Sequence, residues 1–460
     1  MMNSARSCLL SLVSRKQLTR SRGVKHWIDG KPRRKHPVNP EIEDRLPVNK
    51  YISEGTRPDN RVYTWGYAEL GALGNRNLLR PKNGKKPYTY LHRPMRLWFA
   101  ELNKVTDVAC GYGFTVMAVN RPDYKLFGCG LNTSSQIGQQ EARAGHPLER
   151  VTSPVPITIP VDDPSIKVTA VACGRSHTSF VTSDGAAYTL GNNAYGQCGR
   201  QVLEREDYSS NATVHRVPVD RPVRTVTCGQ DHTMFVTECG RVYCCGWGAD
   251  GQLGSGAFDS RWQALPAGGD LEGERVVKVA CSADCVLAVS ESGDVFGWGN
   301  SEYAQFASVT EEQQLNVPRR LPLGVGKVTD VASAGTMCAV LNAYIVFADR
   351  GEVYVWGYGM LGKGPELDVS KEPSLIPPTL LGRNDFSPDN TPVSVVSGLY
   401  HLSVTTSGGD LFTWGHNRHG ALGLGHTEDR LFPLRVSIPA RVTKVACGVD
   451  HMAALCREYI

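Results

Sequence analysis

A short pattern of residues recurs along this chain, and this recurrence restricts the possible folds more than any other feature. In one copy a small residue and a glycine are followed three positions later by a histidine, as in Cys173, Gly174 and His177. Seventeen residues after Cys173, a strand-like segment ends at Leu190-Gly191. A fixed period of this size indicates an architecture of repeated supersecondary units.

Each of these two anchors occurs seven times. The first, the small-residue turn, lies at Cys110-Gly111, Cys173-Gly174, Cys228-Gly229, Cys281-Ser282, Ser333-Ala334, Ser397-Gly398 and Cys447-Gly448. The second, the glycine at a strand end, lies at Trp65-Gly66, Cys129-Gly130, Leu190-Gly191, Cys245-Gly246, Trp298-Gly299, Trp356-Gly357 and Trp414-Gly415. Gly66 and Gly415 are 349 residues and six steps apart, so one repeat takes about 58 residues.

The pattern inside each repeat predicts four strands. Alternating apolar residues precede the first anchor and follow it, and tight hairpin turns such as Ser183-Asp184-Gly185 and Ser407-Gly408-Gly409 lead into a third strand. A proline-bearing segment then supplies an outer edge strand, where proline is tolerated. The sequence therefore predicts an all-β fold, a seven-bladed β-propeller with four-stranded blades.

The order of the anchors predicts how the ring closes. The repeats begin with the second anchor at Trp65-Gly66 and end with the first at Cys447-Gly448, so neither end contains a whole blade. A half blade would expose unpaired strand edges. We expect residues 60–98 to complete the blade begun by residues 442–456, within a propeller domain of residues 60–460.

The N-terminal segment has the composition of a targeting signal. Residues 1–28 contain six basic residues, five serines and no Asp or Glu, which is typical of a mitochondrial transit peptide. We assign this peptide to residues 1–36 and a linker to residues 37–59. The run from Lys31 to Lys35 leaves a nuclear localisation signal as the alternative.

Charge and cysteine usage narrow the class of protein. The whole chain carries +5 and residues 1–40 carry +9, so the remaining residues carry −4 and are not a generally basic nucleic-acid binder. Five of the fourteen cysteines occupy the first-anchor position of different repeats. Because residues at equivalent positions in separate repeats cannot all pair, we expect reduced thiols and a compartment without disulfides. No apolar run is long enough for a transmembrane helix.

The repeats resemble the regulator-of-chromosome-condensation repeat family. The resemblance rests on Val171 to Val181 and on Trp414-Gly415-His416-Asn417 with Gly420 and Leu422-Gly423, and it covers residues 60–458. Within the family, Cys110 to Phe114, Trp298 to Tyr303 and Ile376 to Leu380 are similar to the mitochondrial exchange-factor-like member.

The resemblance implies a guanine-nucleotide exchange or regulatory role toward the inner-membrane dynamin-like fusion GTPase. It also implies association with mitochondrial ribosomal RNA in ribosome assembly. A nuclear, chromatin-bound exchange factor is a further alternative. No stretch matches residue by residue the wedge with which the nuclear member promotes exchange. We expect a monomer in the mitochondrial matrix or on the matrix side of the inner membrane, where peripheral association is possible.

The repeated polar residues are interpreted as structural. The repeat histidines should lie around the ring in different blades, where they hydrogen-bond the backbone between blades. Phe114, Cys285 and Met337 stand where three further histidines are expected. The residues assigned to this structural set are Cys173, Gly174, His177, Cys228, Gly229, His232, Gly398, His401, Cys447, Gly448 and His451.

No catalytic constellation, cofactor site or metal site is predicted, and the protein is expected not to be an enzyme. Gly357 to Gly364 nearly matches a phosphate-binding loop, but Gly364 replaces the hydroxyl residue and no helix follows. Cys244 and Cys245 are adjacent on a strand and therefore point to opposite faces, which disfavours zinc.

Two segments depart from the repeat. Between Glu69 and Glu101 no acid occurs, and Tyr88, Tyr90 and Trp98 accompany basic residues, a pattern suited to RNA or an acidic partner, or simply to a solvated insertion. The sixth repeat contains an apolar insertion at 343–349, either an extended hairpin that meets a partner or a feature of an unusual isoform. The basic candidates are Arg76, Arg80, Lys82, Lys85, Lys86, Arg93 and Arg96.

Overall fold

The chain divides into two units, Met1–Gly55 and Thr56–Ile460, in a computed structural model that describes residues 27–28, 31–32, 60–81, 86–143, 145–343 and 351–458. In the first unit, β1 (Trp27–Ile28) pairs antiparallel with β2 (Lys31–Pro32). The rest of the predicted transit peptide and linker lies outside the described residues, so both assignments stay predictions.

The second unit consists of seven four-stranded antiparallel sheets, which confirms the predicted propeller. From the innermost strand outward, the strands of each blade follow one another along the chain, except in blade 1. Blade 1 contains β31 (Arg441–Cys447), β32 (His451–Arg457), β3 (Asn60–Tyr67) and β4 (Tyr90–Arg96). Blade 2 contains β5 (Val105–Cys110), β6 (Phe114–Val119), β7 (Leu126–Leu131) and β10 (Arg150–Pro156). Blade 3 contains β11 (Val168–Cys173), β12 (His177–Thr182), β13 (Ala187–Gly191) and β14 (Val214–Arg216).

The remaining blades repeat this order. Blade 4 contains β15 (Val223–Cys228), β16 (His232–Thr237), β17 (Val242–Gly246) and β18 (Arg261–Pro266). Blade 5 contains β19 (Val276–Cys281), β20 (Cys285–Ser290), β21 (Val295–Asn300) and β22 (Gln314–Leu321). Blade 6 contains β23 (Lys327–Ser333), β24 (Met337–Ala343), β25 (Glu352–Tyr358) and β26 (Val369–Leu375). Blade 7 contains β27 (Pro392–Ser397), β28 (His401–Thr406), β29 (Leu411–Gly415) and β30 (Arg430–Arg435).

Blade 1 closes the ring as expected. The N-terminal strand β3 lies between β32 and β4, and its pairing with β32 runs from Asn60↔Arg457 to Gly66↔His451. The partner strands come from opposite ends of the chain, so this blade forms only when both ends are present. The predicted clasp is therefore confirmed.

Short elements lie between the strands. Within the residues that the structure describes, the helices are α1 (Arg76–Leu79) and α2 (Trp98–Leu102), with 3-10 turns at Gly269–Leu271, Pro378–Leu381 and Arg418–Gly420. The strand β8 (Glu141–Arg143) pairs with β9 (His146–Pro147) in a separate hairpin. None of the helices in the described part of the chain has the length and apolar character needed to cross a membrane.

Among the described residues, seven apolar clusters form the core, one between each pair of neighbouring blades, and a small eighth cluster of Ala68, Leu73 and Leu78 lies in the loop of blade 1. Three of the four tryptophans at the ends of third strands, Trp65, Trp298 and Trp356, link blades through their indole nitrogens, whereas the Trp414 nitrogen has no partner among the described residues. Trp298 Nε1 donates to the Gln252 carbonyl at 2.9 Å, and Trp356 Nε1 donates to the Gln305 carbonyl at 2.8 Å, in each case in the preceding blade. Burying the ring while satisfying its N–H explains why tryptophan suits this position.

The innermost strands line a narrow central channel of about 300 Å³. Its wall is mostly valine, alanine and cysteine, and it carries two ion pairs between adjacent blades, Lys444–Asp107 and Lys278–Asp330. Each aspartate also accepts a backbone N–H from the blade on its other side, that of Val171 at 3.1 Å and that of Val395 at 3.0 Å. Each carboxylate therefore ties three consecutive blades together.

Candidate functional site

One end of the propeller, called the turn face, carries all seven Gly-x-x-His-type turns and the loops that join third and fourth strands. The opposite end, called the hairpin face, carries the hairpins between second and third strands and the links between blades. The turn face contains the longest loops of blades 1, 2 and 3, at 68–89, 132–149 and 192–213. The turn face contains more irregular structure than the hairpin face, and it is the candidate binding surface.

The loops of the turn face are organised by their asparagine residues. Asn417 accepts a hydrogen bond from Leu422 N at 2.8 Å, and its amide donates to the His426 and Glu428 carbonyls at 2.9 and 3.0 Å. Asn193 accepts from Cys198 N at 3.0 Å in the same way. The buried amide groups therefore stand in for backbone partners and hold each loop in one conformation.

Two of the four first-anchor histidines, His177 and His451, hydrogen-bond a side chain of the next blade. His177 Nε2 lies 2.9 Å from Thr233 Oγ1 of blade 4, and His451 Nε2 lies 2.9 Å from Thr115 Oγ1 of blade 2. For both histidines this partner is a threonine hydroxyl, where the sequence pattern suggested backbone, and His451 also hydrogen-bonds the backbone of Phe114 in blade 2. The difference arises because the residue after the anchor histidine of the next blade points into the same interface.

The next blade also explains which histidines lack a partner. In the blades that follow His232 and His401, the position equivalent to Thr233 is occupied by Val286 and Met452, respectively. Neither ring nitrogen of these two histidines has a partner among the described residues. Burial lowers the pKa of His177 and His232 to about 3 and that of His401 and His451 to about 4. The rings are therefore neutral structural groups.

The mouth of the central channel on the turn face gathers polar side chains from several blades. Arg175 of blade 3 forms an ion pair with Asp231 of blade 4, and Asp284 of blade 5 accepts a hydrogen bond from Gln252 Nε2 at 2.9 Å. Burial, reinforced by Asp250, raises the pKa of the Asp284 carboxyl to about 6. Burial also raises the pKa of Tyr112, whose hydroxyl has no partner among the described residues. This mouth can accept hydrogen bonds or a cation from a docked partner.

The hairpin of β8 and β9 is the most exposed regular element of the turn face. Its residues are solvent-exposed apart from the half-buried Pro147, and the turn contains Gly145 with a φ of +73°. It belongs to the loop between β7 and β10 of blade 2. An exposed two-stranded hairpin can contact a partner.

Aromatic pairs bridge neighbouring blades around the turn face. Tyr195 meets Trp247 with ring centroids 4.7 Å apart, and Tyr303 meets Tyr358 at 5.6 Å. A third pair joins the two blades at the ring closure, His419 and Tyr67, at 4.4 Å. These rings carry large contact surface at low entropic cost, which suits a protein interface.

The basic candidates of blade 1 do not form one patch. Arg76, Arg80 and Lys86 are exposed in the loop between β3 and β4, whereas Arg96 at the far end of β4 is paired with Glu101. Arg93 lies on β4 against Gly425 of blade 7. Lys82 and Lys85 lie outside the described residues.

The aromatic residues of this segment are separated in the same way. Tyr88 and Tyr90 are exposed near the turn face, since Tyr90 pairs with Tyr67. Trp98 follows β4 at the hairpin face, where its side chain is 73% exposed. The strand β4 crosses the depth of the blade, so closeness along the sequence here does not mean closeness on the surface.

Among the described residues, no group of three or more His, Cys, Asp or Glu side chains is arranged to hold a metal ion. Burial raises the pKa of the first-anchor thiols, including those of Cys110, Cys173 and Cys228. These cysteines are therefore protonated packing groups at neutral pH.

The chain is similar to known repeat proteins in sequence and in structure. The repeat described as "Regulator of chromosome condensation (RCC1) repeat" matches residues 59–118, 124–181, 184–236, 239–289, 292–341 and 408–455. The chain is 45% identical over 446 residues to the "RCC1-like G exchanging factor-like protein" of Mus musculus, covering 95% of each chain. It is 43% identical to the Homo sapiens protein of the same name, covering 95% of this chain and 96% of the relative.

Solved structures of similar proteins have the same fold. The crystal structure of human WBSCR16 superposes with a TM-score of 0.81 at 45% identity, covering 87% of this chain and all of that one. Prp20p of Saccharomyces cerevisiae superposes with a TM-score of 0.70 at 19% identity, covering 88% of this chain and 93% of that one, a likeness of fold alone.

Proposed function

Because this chain belongs to the RCC1 repeat family, we propose that it binds a GTPase on its turn face and promotes nucleotide exchange. The finer proposal is that the GTPase is the dynamin-like fusion protein of the mitochondrial inner membrane. Support comes from relatives similar over nearly their whole length, whose name describes a G exchanging factor, and from Prp20p, whose structure is reported with its binding to Gsp1p.

One structural observation carries the proposal: the turn face combines an exposed β-hairpin with a polar channel mouth. The hairpin of β8 and β9 projects from blade 2, and Tyr112, Arg175 and Asp284 surround the channel mouth. An exposed hairpin and hydrogen-bonding groups on the same face can compete for the contacts of a nucleotide bound to the partner. This function requires binding but no bond-making chemistry of the protein's own.

Release of a fluorescent GDP analogue from the recombinant fusion GTPase tests the proposal. We expect the full chain to accelerate release, and a variant with residues 141–147 replaced by two glycines to lose most of this acceleration. Trp98→Ser, a change on the hairpin face, is the matched control and should keep it. If a stoichiometric amount of the full chain does not accelerate release of the GDP analogue, exchange on this GTPase is refuted.

The location of the protein remains part of the proposal. The acid-free basic N-terminus favours mitochondria, and Lys31 to Lys35 favour the nucleus. Cell fractionation, with sequencing of the mature N-terminus, separates a mitochondrial exchange factor from a nuclear chromatin-bound one. A protein that begins at Met1 in the nuclear fraction would contradict the mitochondrial proposal.

A second candidate function is binding of mitochondrial ribosomal RNA during ribosome assembly. The observation that favours it is the exposure of Lys86, Tyr88 and Tyr90 on one short segment, where phosphates and unstacked bases could be contacted. Changing Lys82, Lys85 and Lys86 to Glu should weaken RNA crosslinking and reduce its salt dependence. Unchanged binding with an unchanged salt slope would remove this candidate.

A further inference from the structure

A cleft of about 660 Å³ lies between the loop of blade 1 and the outer strand of blade 2. One wall comes from Glu69, α1 and the residues after it, and the other comes from β10 and from Leu148, two residues before it. The side chains that matter are Glu69, Arg76, Leu79, Arg80, Leu148 and Arg150. Arg150 was not recognisable from the sequence as a neighbour of the other two arginines, because it belongs to another blade.

The rim of this cleft is cationic. Arg76 is the first residue of α1 and Arg80 caps its C-terminus, both are exposed, and neither forms an ion pair with a described residue. Arg150 Nη1 donates to the backbone carbonyl of Glu69 at 3.1 Å. Three guanidinium groups therefore converge on one cleft.

The carboxylate of Glu69 is the single acidic group among the residues that line the cleft. It already accepts a hydrogen bond from the Tyr67 hydroxyl at 2.8 Å. The cleft therefore keeps an excess of two positive charges. Exposed arginines without a carboxylate partner favour ligands that present paired oxygens, since a guanidinium binds a carboxylate or phosphate with two parallel hydrogen bonds.

The floor of the cleft is aliphatic. Leu79, Leu148 and Val155 are half-buried, Val151 is buried, and none of the lining residues is aromatic. Proteins that bind single-stranded RNA stack its bases against aromatic rings, which this cleft does not offer. An aliphatic floor under a cationic rim instead matches a peptide that alternates acidic and aliphatic side chains.

We propose that this cleft binds an extended acidic segment of a protein partner. Two or more carboxylates of the segment pair with Arg76, Arg80 and Arg150, and a leucine or valine side chain packs on Leu79 and Leu148. The site is separate from the channel mouth and involves no nucleotide. Its validity therefore does not depend on exchange activity.

The test uses the full chain and a fluorescein-labelled peptide, Asp-Glu-Leu-Glu-Asp-Val-Glu, in an anisotropy titration. We expect saturable binding that weakens with added salt, as exposed charge pairs do. The double variant Arg76→Ala with Arg80→Ala should bind about tenfold more weakly, and Arg150→Gln should act in the same direction. Arg221→Ala, an exposed arginine on the hairpin face of blade 4, is the matched control and should bind like the unaltered chain.

Two further probes separate the alternatives. A peptide with Ser in place of Leu and Val should bind more weakly, because it has nothing to place on the floor. A uridine oligonucleotide of equal charge should bind no more tightly than the acidic peptide. Tighter binding of the oligonucleotide with loss in the double variant would assign the cleft to RNA, and equal binding of all peptides to all variants would also overturn the proposal.

Discussion

At the scale of single residues, the first-anchor histidine links one blade to the next. Gly174 is required beside it because a side chain at that position would overlap the His177 ring and approach the carbonyl oxygen of Gly229 in blade 4 at 2.7 Å. The Thr233 hydroxyl donates to the Gln197 carbonyl at 2.7 Å, so it accepts from His177 Nε2–H. The histidine, the glycine and the next blade's threonine therefore act as one unit.

This unit predicts a stabilising substitution. Val286→Thr places a hydroxyl where Thr233 lies one blade earlier, next to the unpartnered His232. We expect the free energy of unfolding to rise by about 1 kcal/mol, since a buried polar group gains its hydrogen bond. Urea unfolding measures the change.

Two matched variants check the reason for that gain. Val286→Ala removes methyl groups without adding a hydroxyl and should lower stability. Thr233→Val deprives His177 of its partner and should cost about 1 to 3 kcal/mol. A Val286→Thr protein less stable than the unaltered chain would contradict the proposed pairing.

The buried histidines also predict how stability depends on pH. Their pKa values of about 3 to 4 lie below the value of about 6.5 in an unfolded chain, so the unfolded state takes up protons first as pH falls. Each histidine should then remove about 1.4 kcal/mol of stability per pH unit below about pH 6.5, until its folded-state pKa is reached.

Comparison of the unaltered chain with His232→Gln isolates one histidine. Between pH 6.5 and pH 4, the free energy of unfolding of the variant should fall less steeply as pH is lowered. The difference in slope should correspond to about one bound proton. Urea titrations at several pH values give the two slopes. Identical slopes would show that His232 does not titrate as a buried neutral group.

At the scale of elements, the third strand of every blade ends at a glycine for a steric reason. The seven second-anchor glycines have φ between 92° at Gly299 and 113° at Gly246, a region that other residues rarely adopt. A side chain at Gly299 would in addition overlap the carbonyl oxygen of Asp284, which belongs to the turn of the same blade. The strand end and the turn are therefore packed backbone to backbone.

A pair of glycine substitutions separates these two effects. Gly273 also has a positive φ, 84°, but a side chain there would meet nothing within 4 Å. Gly273→Ala should cost about 1 to 2 kcal/mol from backbone conformation alone. Gly299→Ala should cost clearly more, because the backbone must also shift. Thermal melts of the two variants measure the difference, and equal losses would exclude the steric contribution.

Blade 6 departs from the repeat at the hairpin between its second and third strands. In blade 6, β24 and β25 are each seven residues long, and their pairing runs from Met337↔Gly357 to Asn342↔Glu352. On its other side β24 pairs with β23 as far as Lys327↔Ala343. The predicted insertion at 343–349 begins at the end of this longer hairpin, and residues 344–350 lie outside the described residues. Its two interpretations stay open.

At the scale of the whole molecule, the ring depends on both ends of the chain. The strands β31 and β32 cover the inner edge of β3, and two of the seven apolar clusters use residues of this blade. Removal of β31 and β32 would leave one edge of β3 unpaired and would expose two apolar faces at once.

A chain truncated after residue 440 is therefore expected not to fold cooperatively. A chain truncated after residue 458 keeps all of blade 1 and serves as the control. Calorimetry should show a cooperative transition for the control and none near that temperature for the shorter chain. A cooperative melt close to that of the unaltered protein would refute closure by the two ends.

The propeller, its seven blades and the closing clasp could be predicted from sequence because their signals are local and repeated. Gly185 and Gly409 take a positive φ in hairpin turns that the sequence identified, and prolines such as Pro154 and Pro433 lie in outer strands. Period-two strands and turn glycines need only near neighbours in the chain, so seven copies determine the architecture.

The surfaces could not be predicted, because their partners come from different blades. Only packing of one sheet on the next places Thr233 against His177, Arg150 beside Arg76, and Asp231 against Arg175. The same packing puts Trp98 at the opposite end of the blade from Tyr90. The sequence by itself determined the scaffold through local geometry, whereas the tertiary structure decided which side chains act together, since interactions between blades join residues about 50 positions or more apart in the chain.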